Sequence, residues 1–185
     1  MKWIQTSSLK HPVLIRSIIA CLAIILLLWA WFFWRIHAYD STITKASQLY
    51  GVDSQLIRAV IWKESRFNSK RVGKLGEIGL MQVTRNAAYE WALANNVKDF
   101  KQNDLFRPEV NIQAGTWYLG RAIQYWSAKA NPLPYALAEY NAGRSNTLRW
   151  SASDNGDANK FWNGITYPTT RRYVQDILIY YRGHR

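Results

Sequence analysis

Seventeen consecutive residues without a charge, IIACLAIILLLWAWFFW from Ile18 to Trp34, limit what the N-terminal part of this 185-residue chain can become. Extended by the preceding VLI and by Ile36, with Arg16 and Arg35 snorkelling at the ends, the run approaches the length that crosses a bilayer as a helix. A cleaved signal peptide is the competing reading, because Lys2, Lys10 and Arg16 precede the run. Trp29, Trp31, Phe32, Phe33 and Trp34 favour an uncleaved anchor: they stand where a signal peptidase needs small residues, and they resemble an aromatic belt at a membrane face. Ile18-Ile19-Ala20-Cys21 loosely resembles a lipoprotein processing site, but the thiol opens the apolar run instead of following it, which speaks against lipidation. Lys2, Lys10 and Arg16 before the run outweigh Arg35 and Lys45 just after it, so the expected orientation puts the N-terminus in the cytoplasm. The expected organisation is a short cytoplasmic tail over 1–17, an anchor over 18–36 and one domain over 41–183.

Cys21 is the only cysteine and lies in the apolar run, so the domain can form neither a disulfide nor a thiolate metal site. His11 and His37 flank the run and His184 is next to last in the chain, leaving no His, Asp or Glu at ligand spacing; neither a metal nor a cofactor is expected. Without Lys2, Lys10, Arg16 and Arg35 the chain still carries 20 basic against 12 acidic residues. That balance suits an anionic partner or simply a soluble basic surface. The basic residues are spread instead of forming a patch, so no nucleic-acid partner is expected.

Helical spacing prevails after the anchor and strand-like alternation is nowhere sustained, which predicts an all-α domain. A first helix starts at Asp40 or Ser41 and stops at Gly51; Asp53 caps a second, SQLIRAVIWKES. Arg66 to Ile78, with Gly73 and Gly76, reads as a loop, followed by a helix or turn from Gly79 and a helix to about Asn95. Pro108 opens a long amphipathic helix, PLPYALAEYNAG a short apolar one, and TTRRYVQDILIYY closes the chain as the last. Arg144 to Gly164, rich in Ser, Asn, Asp and Gly, reads as a long surface loop.

Ile57, Val60, Ile61 and Glu64 share one face of the second helix. A carboxylate on an apolar face resists ionisation, which raises its pKa and makes it a candidate general acid near neutral pH. The plainer reading pairs Glu64 with Lys63, Arg66 or Arg71 in a surface ion pair, and spacing alone does not overturn it.

Four motifs change that balance: Glu64-Ser65, then Gly76-x-x-Gly79-Leu80-Met81-Gln82, then Ala138-x-Tyr140-Asn141-Ala142-Gly143, then Tyr173-Val174. In this order and spacing the chain resembles the lytic transglycosylases of the soluble type, whose domain is lysozyme-like, over about residues 41 to 183. The resemblance implies a helical fold with a cleft for peptidoglycan glycan strands, and Glu64 as the one catalytic acid and base. It implies that Ser65, Gly79, Leu80, Met81, Gln82, Tyr140, Asn141 and Tyr173 form the substrate-binding site around that acid. The implied reaction breaks the MurNAc-GlcNAc β-1,4 bond and leaves 1,6-anhydroMurNAc ends. One carboxyl suffices if the 2-acetamido oxygen stabilises the cationic carbon and the sugar's own 6-hydroxyl attacks it. The implied location is the bacterial inner membrane, single-pass, with the domain facing the periplasm or cell wall. A secretion or conjugation apparatus is a conceivable further partner that no residue supports.

GLMQV also resembles goose-type lysozymes, whose acidic partners stand six residues before its first glycine and directly after its valine. Here those places hold Gly73 and Thr84, which favours transglycosylation over hydrolysis. The chain departs from the family pattern as well: Gly73 replaces a serine, Gly76-Glu77 a Gly-Ala pair, Arg85 a proline and Thr169 an acidic residue. Glu77 is either an auxiliary carboxylate that restores hydrolysis or an ion-pair partner of Arg71 or Lys74; Glu139 is expected to face away from Tyr140 and Asn141. The alternatives are therefore a lysozyme-like hydrolase using Glu77 and an inactive peptidoglycan-binding module. Trp117 and Tyr118 are expected in the core, Trp150 and Trp162 at a cleft rim.

Overall fold

The structure, a computed structural model, describes residues 12–152 and 154–184 and divides into two units, Met1–Ala38 and Tyr39–Arg185. The first unit is helix α1, Pro12–His37, 26 residues long. At about 1.5 Å per residue it measures roughly 39 Å, more than the roughly 30 Å of a bilayer's hydrocarbon core. Among the described residues it is the one helix long and apolar enough to cross a membrane. It overruns the expected 18–36 at both ends, so residues 12–17 of the expected tail are helical; Lys2, Lys10 and His11 lie outside the described residues. The Arg35 guanidinium covers the Trp31 ring, 5.1 Å from its centroid.

The second unit is built of helices joined by short turns. Helix α2 (Asp40–Tyr50) ends at Gly51, and α3 (Ser54–Ser65) starts where the Asp53 carboxylate accepts from the Gln55 amide at 2.8 Å. The apolar side chains of α3, Leu56, Ile57, Ala59, Val60 and Ile61, are buried, as the 3.6-residue spacing requires. Residues 66–84 form a knot of turns held by isolated antiparallel bridges, Val72 to Ile78 and Ile78 to Val83. Helix α4 (Arg85–Ala94) is capped by Thr84, and a 3-10 turn, Gln102–Phe106, leads into α5 (Pro108–Tyr125). Then come α6 (Leu133–Ala142), α7 (Arg144–Ser151), α8 (Ala158–Gly164) and α9 (Pro168–Gly183).

Helix α5 packs against α2, α4 and α6, while α9 lies against both α3 and α6. Two long-range contacts fasten α9 to α3: Lys63 pairs with Asp176 at 2.5 Å, and the Tyr181 hydroxyl donates to Asp53 at 2.9 Å. That places the last helix of the chain beside the helix that carries Glu64.

The expected surface loop over residues 144–164 is instead two helices. Their polar faces account for the loop-like composition, but Trp150 and Phe161 bury themselves inward and Asp157 caps α8 by accepting from Asn159 at 2.8 Å. Between them Asp154, 2% exposed, is held by Lys129 at 2.7 Å, Tyr135 at 2.7 Å and the Gly156 amide at 2.9 Å. Burial raises its pKa, but those donors more than offset it, and the net shift is downward.

Asn111, fully buried on α5, ties three segments together. Its side chain accepts from the Met81 amide at 2.8 Å and donates to the carbonyls of Ile78 at 2.7 Å and Leu105 at 2.9 Å. Gly79 makes room for it: φ is +81°, and a Cβ there would collide with the Asn111 amide. An Asn111→Ala variant leaves the buried Met81 amide and Leu105 carbonyl unpaired, while the Ile78 carbonyl keeps the Val83 amide, and is expected to lose about 3 kcal/mol of stability, read as a lower urea midpoint by tryptophan fluorescence.

Candidate active site

Burial and chain geometry turn Glu64 inward at the last turn of α3. Its Oε1 accepts from the Tyr173 hydroxyl of α9 at 2.6 Å, across 109 residues of sequence. Burial pushes the carboxyl up to about 7, from an ordinary value near 4.5. The Tyr173 hydrogen bond and the charges of Arg71 and Lys63 oppose that rise, whereas the Glu77 charge adds to it. The hydroxyls of Tyr173 and Tyr140 are both raised well above the phenol range, first by burial and next by the charge of Glu64, so both remain protonated donors. Among the described residues no ion pair joins Glu64 to Lys63, Arg66 or Arg71; Lys63 turns to Asp176.

Glu64 opens onto a cavity of about 260 Å³ lined also by Gly73, Lys74, Glu77, Gln82, Thr84, Tyr140 and Asn141. A second cavity of about 180 Å³ shares Gln82, Thr84, Tyr140 and Asn141 with it and continues past Ala87, Gly115 and Tyr118. Together they form a cleft between the 66–84 turns and the C-terminal end of α6. A larger cavity, about 440 Å³ beside Tyr50, Trp117 and Arg121, has no carboxylate in its wall.

Of the residues expected at the site, Glu64, Glu77, Gln82, Tyr140 and Asn141 reach the cavity wall. Gly79, Leu80 and Met81 are buried behind it and act as backing: Tyr140 donates to the Met81 carbonyl at 2.9 Å. Gln82 is pinned by donation from its side-chain amide to the carbonyls of Gly79 at 3.0 Å and Arg71 at 3.2 Å. Asn141 accepts from Thr170 of α9 at 2.8 Å, and Tyr173 touches Glu64 without lining the cavity. Ser65 is a correction: it is 3% exposed and its hydroxyl donates back to the Ile61 carbonyl at 3.2 Å, so it offers nothing to a ligand.

The expected ion pair of Glu77 with Arg71 or Lys74 is absent among the described residues; its Oε2 accepts from the Leu75 amide at 3.0 Å. Glu139 is buried against Trp126 and Arg144, at 2.8 Å from each, yet it borders the second cavity with Tyr140 and Asn141 instead of facing away from them. Trp150, 6% exposed and donating to Thr166 at 3.0 Å, is core and not rim. Trp162 lines a different cavity, beside Pro134 and Ile179. Tyr118, expected in the core, is half-buried in the cleft wall, its ring 5.8 Å from that of Tyr140. Sequence reasoning assigns Tyr118 to the core and does not single out Asn111, whose only signal is an amide in the apolar stripe of a long helix.

A model of the Transglycosylase SLT domain matches residues 41–163. Proteins named membrane-bound lytic murein transglycosylase C are similar to this chain. The one from Sodalis glossinidius is 36% identical over 137 residues, 71% of this chain and 38% of that protein. The one from Pectobacterium atrosepticum is 33% identical over 162 residues, 77% of this chain and 45% of that protein. The chain thus spans less than half the length of these curated relatives. Among solved structures, the 70 kDa soluble lytic transglycosylase from Escherichia coli aligns with a TM-score of 0.72 and 27% identity, over 80% of this chain and 24% of that one. The complex of the 70 kDa soluble lytic transglycosylase with bulgecin A aligns with a TM-score of 0.73 and 27% identity, over 85% and 26%.

The raised carboxyl carries a pH signature. The native state holds this proton more tightly than the unfolded chain, so the stability it contributes is fully present below about 4.5 and is lost as pH rises through about 7. Glu64→Gln, which cannot ionise, is expected to overtake the wild type in stability by on the order of 3 kcal/mol above about pH 8 and to show no such gain near pH 4. Urea titrations at the two pH values check this; an equal difference at both contradicts it. Tyr173→Phe removes the donor that favours the charged form and is expected to move the Glu64 titration upward, followed by carboxyl-carbon NMR.

Proposed function

The chain belongs to the SLT transglycosylase domain family, and on that premise we infer that it is a peptidoglycan lytic transglycosylase that cleaves the MurNAc-GlcNAc β-1,4 bond. The observation that carries this reading is the Glu64 carboxyl: it is half-buried, its pKa is pushed up to about 7, and it borders the cleft with Tyr173 fixing its orientation.

Protonated Glu64 gives its proton to the glycosidic oxygen as the bond from that oxygen to C1 of MurNAc breaks. The neighbouring 2-acetamido oxygen stabilises the cationic carbon. The 6-hydroxyl of the same sugar then attacks C1 while Glu64, now a carboxylate, takes the hydroxyl proton. Glu64 ends as it began, no water is consumed, and the product is a 1,6-anhydro end. A value near 7 suits both halves, because a group that must first give and then take a proton works best when neither form is strongly preferred. Burial of Tyr140 and Tyr173 keeps their hydroxyls as donors throughout.

A membrane location is supported by α1 and by relatives named as membrane-bound. The proposed arrangement is a single-pass anchor in the bacterial inner membrane with the domain on the periplasmic side, facing the wall. Only Ala38 and Tyr39 separate α1 from α2. The basic excess of the chain, +12 at pH 7, suits a wall carrying peptide carboxylates.

The full chain in detergent, added to purified peptidoglycan, is expected to release anhydro-ended fragments identified by mass spectrometry. Glu64→Gln is expected to lower that rate by roughly a thousandfold. Clearing of the wall at the wild-type rate by Glu64→Gln would remove Glu64 from the mechanism.

A further inference from the structure

Gly73 and Glu77 face each other across the tight turn that ends at the cavity wall. The Gly73 amide donates to the Glu77 carbonyl at 2.7 Å, and the Gly76 amide to the Gly73 carbonyl at 3.2 Å. The Glu77 side chain folds back over this turn and fills the space where residue 73 would carry a side chain. A Cβ at position 73 would collide with Oε2 of Glu77 and lie 2.9 Å from Oε1 of Gln82. The absence of a side chain at 73 is therefore what admits the carboxylate of 77, and the Leu75 amide holds it there at 3.0 Å. Neither Arg71 nor Lys74 neutralises it in an ion pair among the described residues. Glu64 and Glu77 border the same cavity of about 260 Å³, whose wall is mainly polar and has room for a sugar edge or several waters.

We propose that Glu77 is a second catalytic carboxylate, which gives this site a hydrolytic branch beside the intramolecular one. The inference rests on the transglycosylase reading and adds to it. In a site with one carboxyl, the only group able to deprotonate an attacking oxygen is the one that has just given up its own proton. A second carboxylate lifts that restriction, since it can take a proton from water while Glu64 is still protonating the leaving oxygen. In this branch Glu64 delivers its proton to the glycosidic oxygen and the bond to C1 breaks. The oxygen of a water held by Glu77 bonds to C1 as Glu77 accepts one of its protons. That proton returns through solvent to Glu64, so one water is consumed and both carboxyls are restored. The product is a reducing MurNAc end instead of an anhydro end.

The test counts both kinds of new end, above those of untreated peptidoglycan, after digestion by the full chain in detergent. Wild type is expected to make both. In Glu77→Gln, which keeps the shape and an acceptor for the Leu75 amide, the ratio of reducing to anhydro ends is expected to fall at least about tenfold. Gly73→Ala leaves both carboxyls in the chain but displaces that of Glu77, and the same fall is expected there. Anhydro ends alone from the wild type, or an unchanged ratio in Glu77→Gln, would overturn the proposal and leave the transglycosylase reading standing. Reducing ends alone from the wild type, lost in Glu77→Gln, would uphold Glu77 and overturn that reading instead; no new ends of either kind would overturn both.

Discussion

A carboxyl group on an otherwise apolar helix face is expensive to ionise, and the site is arranged around that expense. Glu64 sits at the end of α3 with Leu56, Ile57, Val60 and Ile61 buried along the same helix. What keeps it functional instead of merely neutral is a donor brought from the far end of the chain, Tyr173 on α9. That contact exists only if α9 docks on α3, which Lys63, Asp176, Asp53 and Tyr181 secure at two further points. The geometry around Glu64 and closure of the fold are therefore the same event: a chain lacking α9 would lose the orientation of that carboxyl together with the wall of its core.

The remainder of the cleft depends on backbone groups satisfied from behind. Tyr140 reaches the Met81 carbonyl, Asn111 the Met81 amide, and Gln82 two carbonyls of the turn. Each polar side chain that enters this region spends one end on the scaffold, which fixes the other in place. Glu77 is the exception in kind, since its place is created by a missing side chain, that of Gly73.

Much of this was legible in local chemistry. Asp53 as a cap, Gly51 as a stop, Pro108 as a start and the inward face of α3 all act within a turn or two of themselves, and sequence shows such effects directly. Helices α7 and α8 were not legible, because one buried ring each, Trp150 and Phe161, outweighs a surface rich in Ser, Asn and Asp. The family resemblance puts Ser65 in the site through the Glu64-Ser65 motif, yet neighbours on a helix point about 100° apart and its hydroxyl bonds to its own helix. Tyr118 was placed in the core because an aromatic at helical spacing looks the same whether it faces α6 or a cleft. The exchange between Gly73 and Glu77 needs the folded turn to be seen at all: four residues apart in sequence says nothing about which side chain occupies the other's space.

Asn111 has one more consequence. Because a single amide on the central helix closes three backbone groups from two other segments, the floor of the cleft has no independent way to open. Its exchange with heavy water should follow the slowest, global unfolding of α5 and not the breathing of a surface loop, although residues 66–84 have scarcely any regular structure. Rigidity here is borrowed from a neighbouring helix, and a ligand arriving at the cleft meets a floor already fixed in shape.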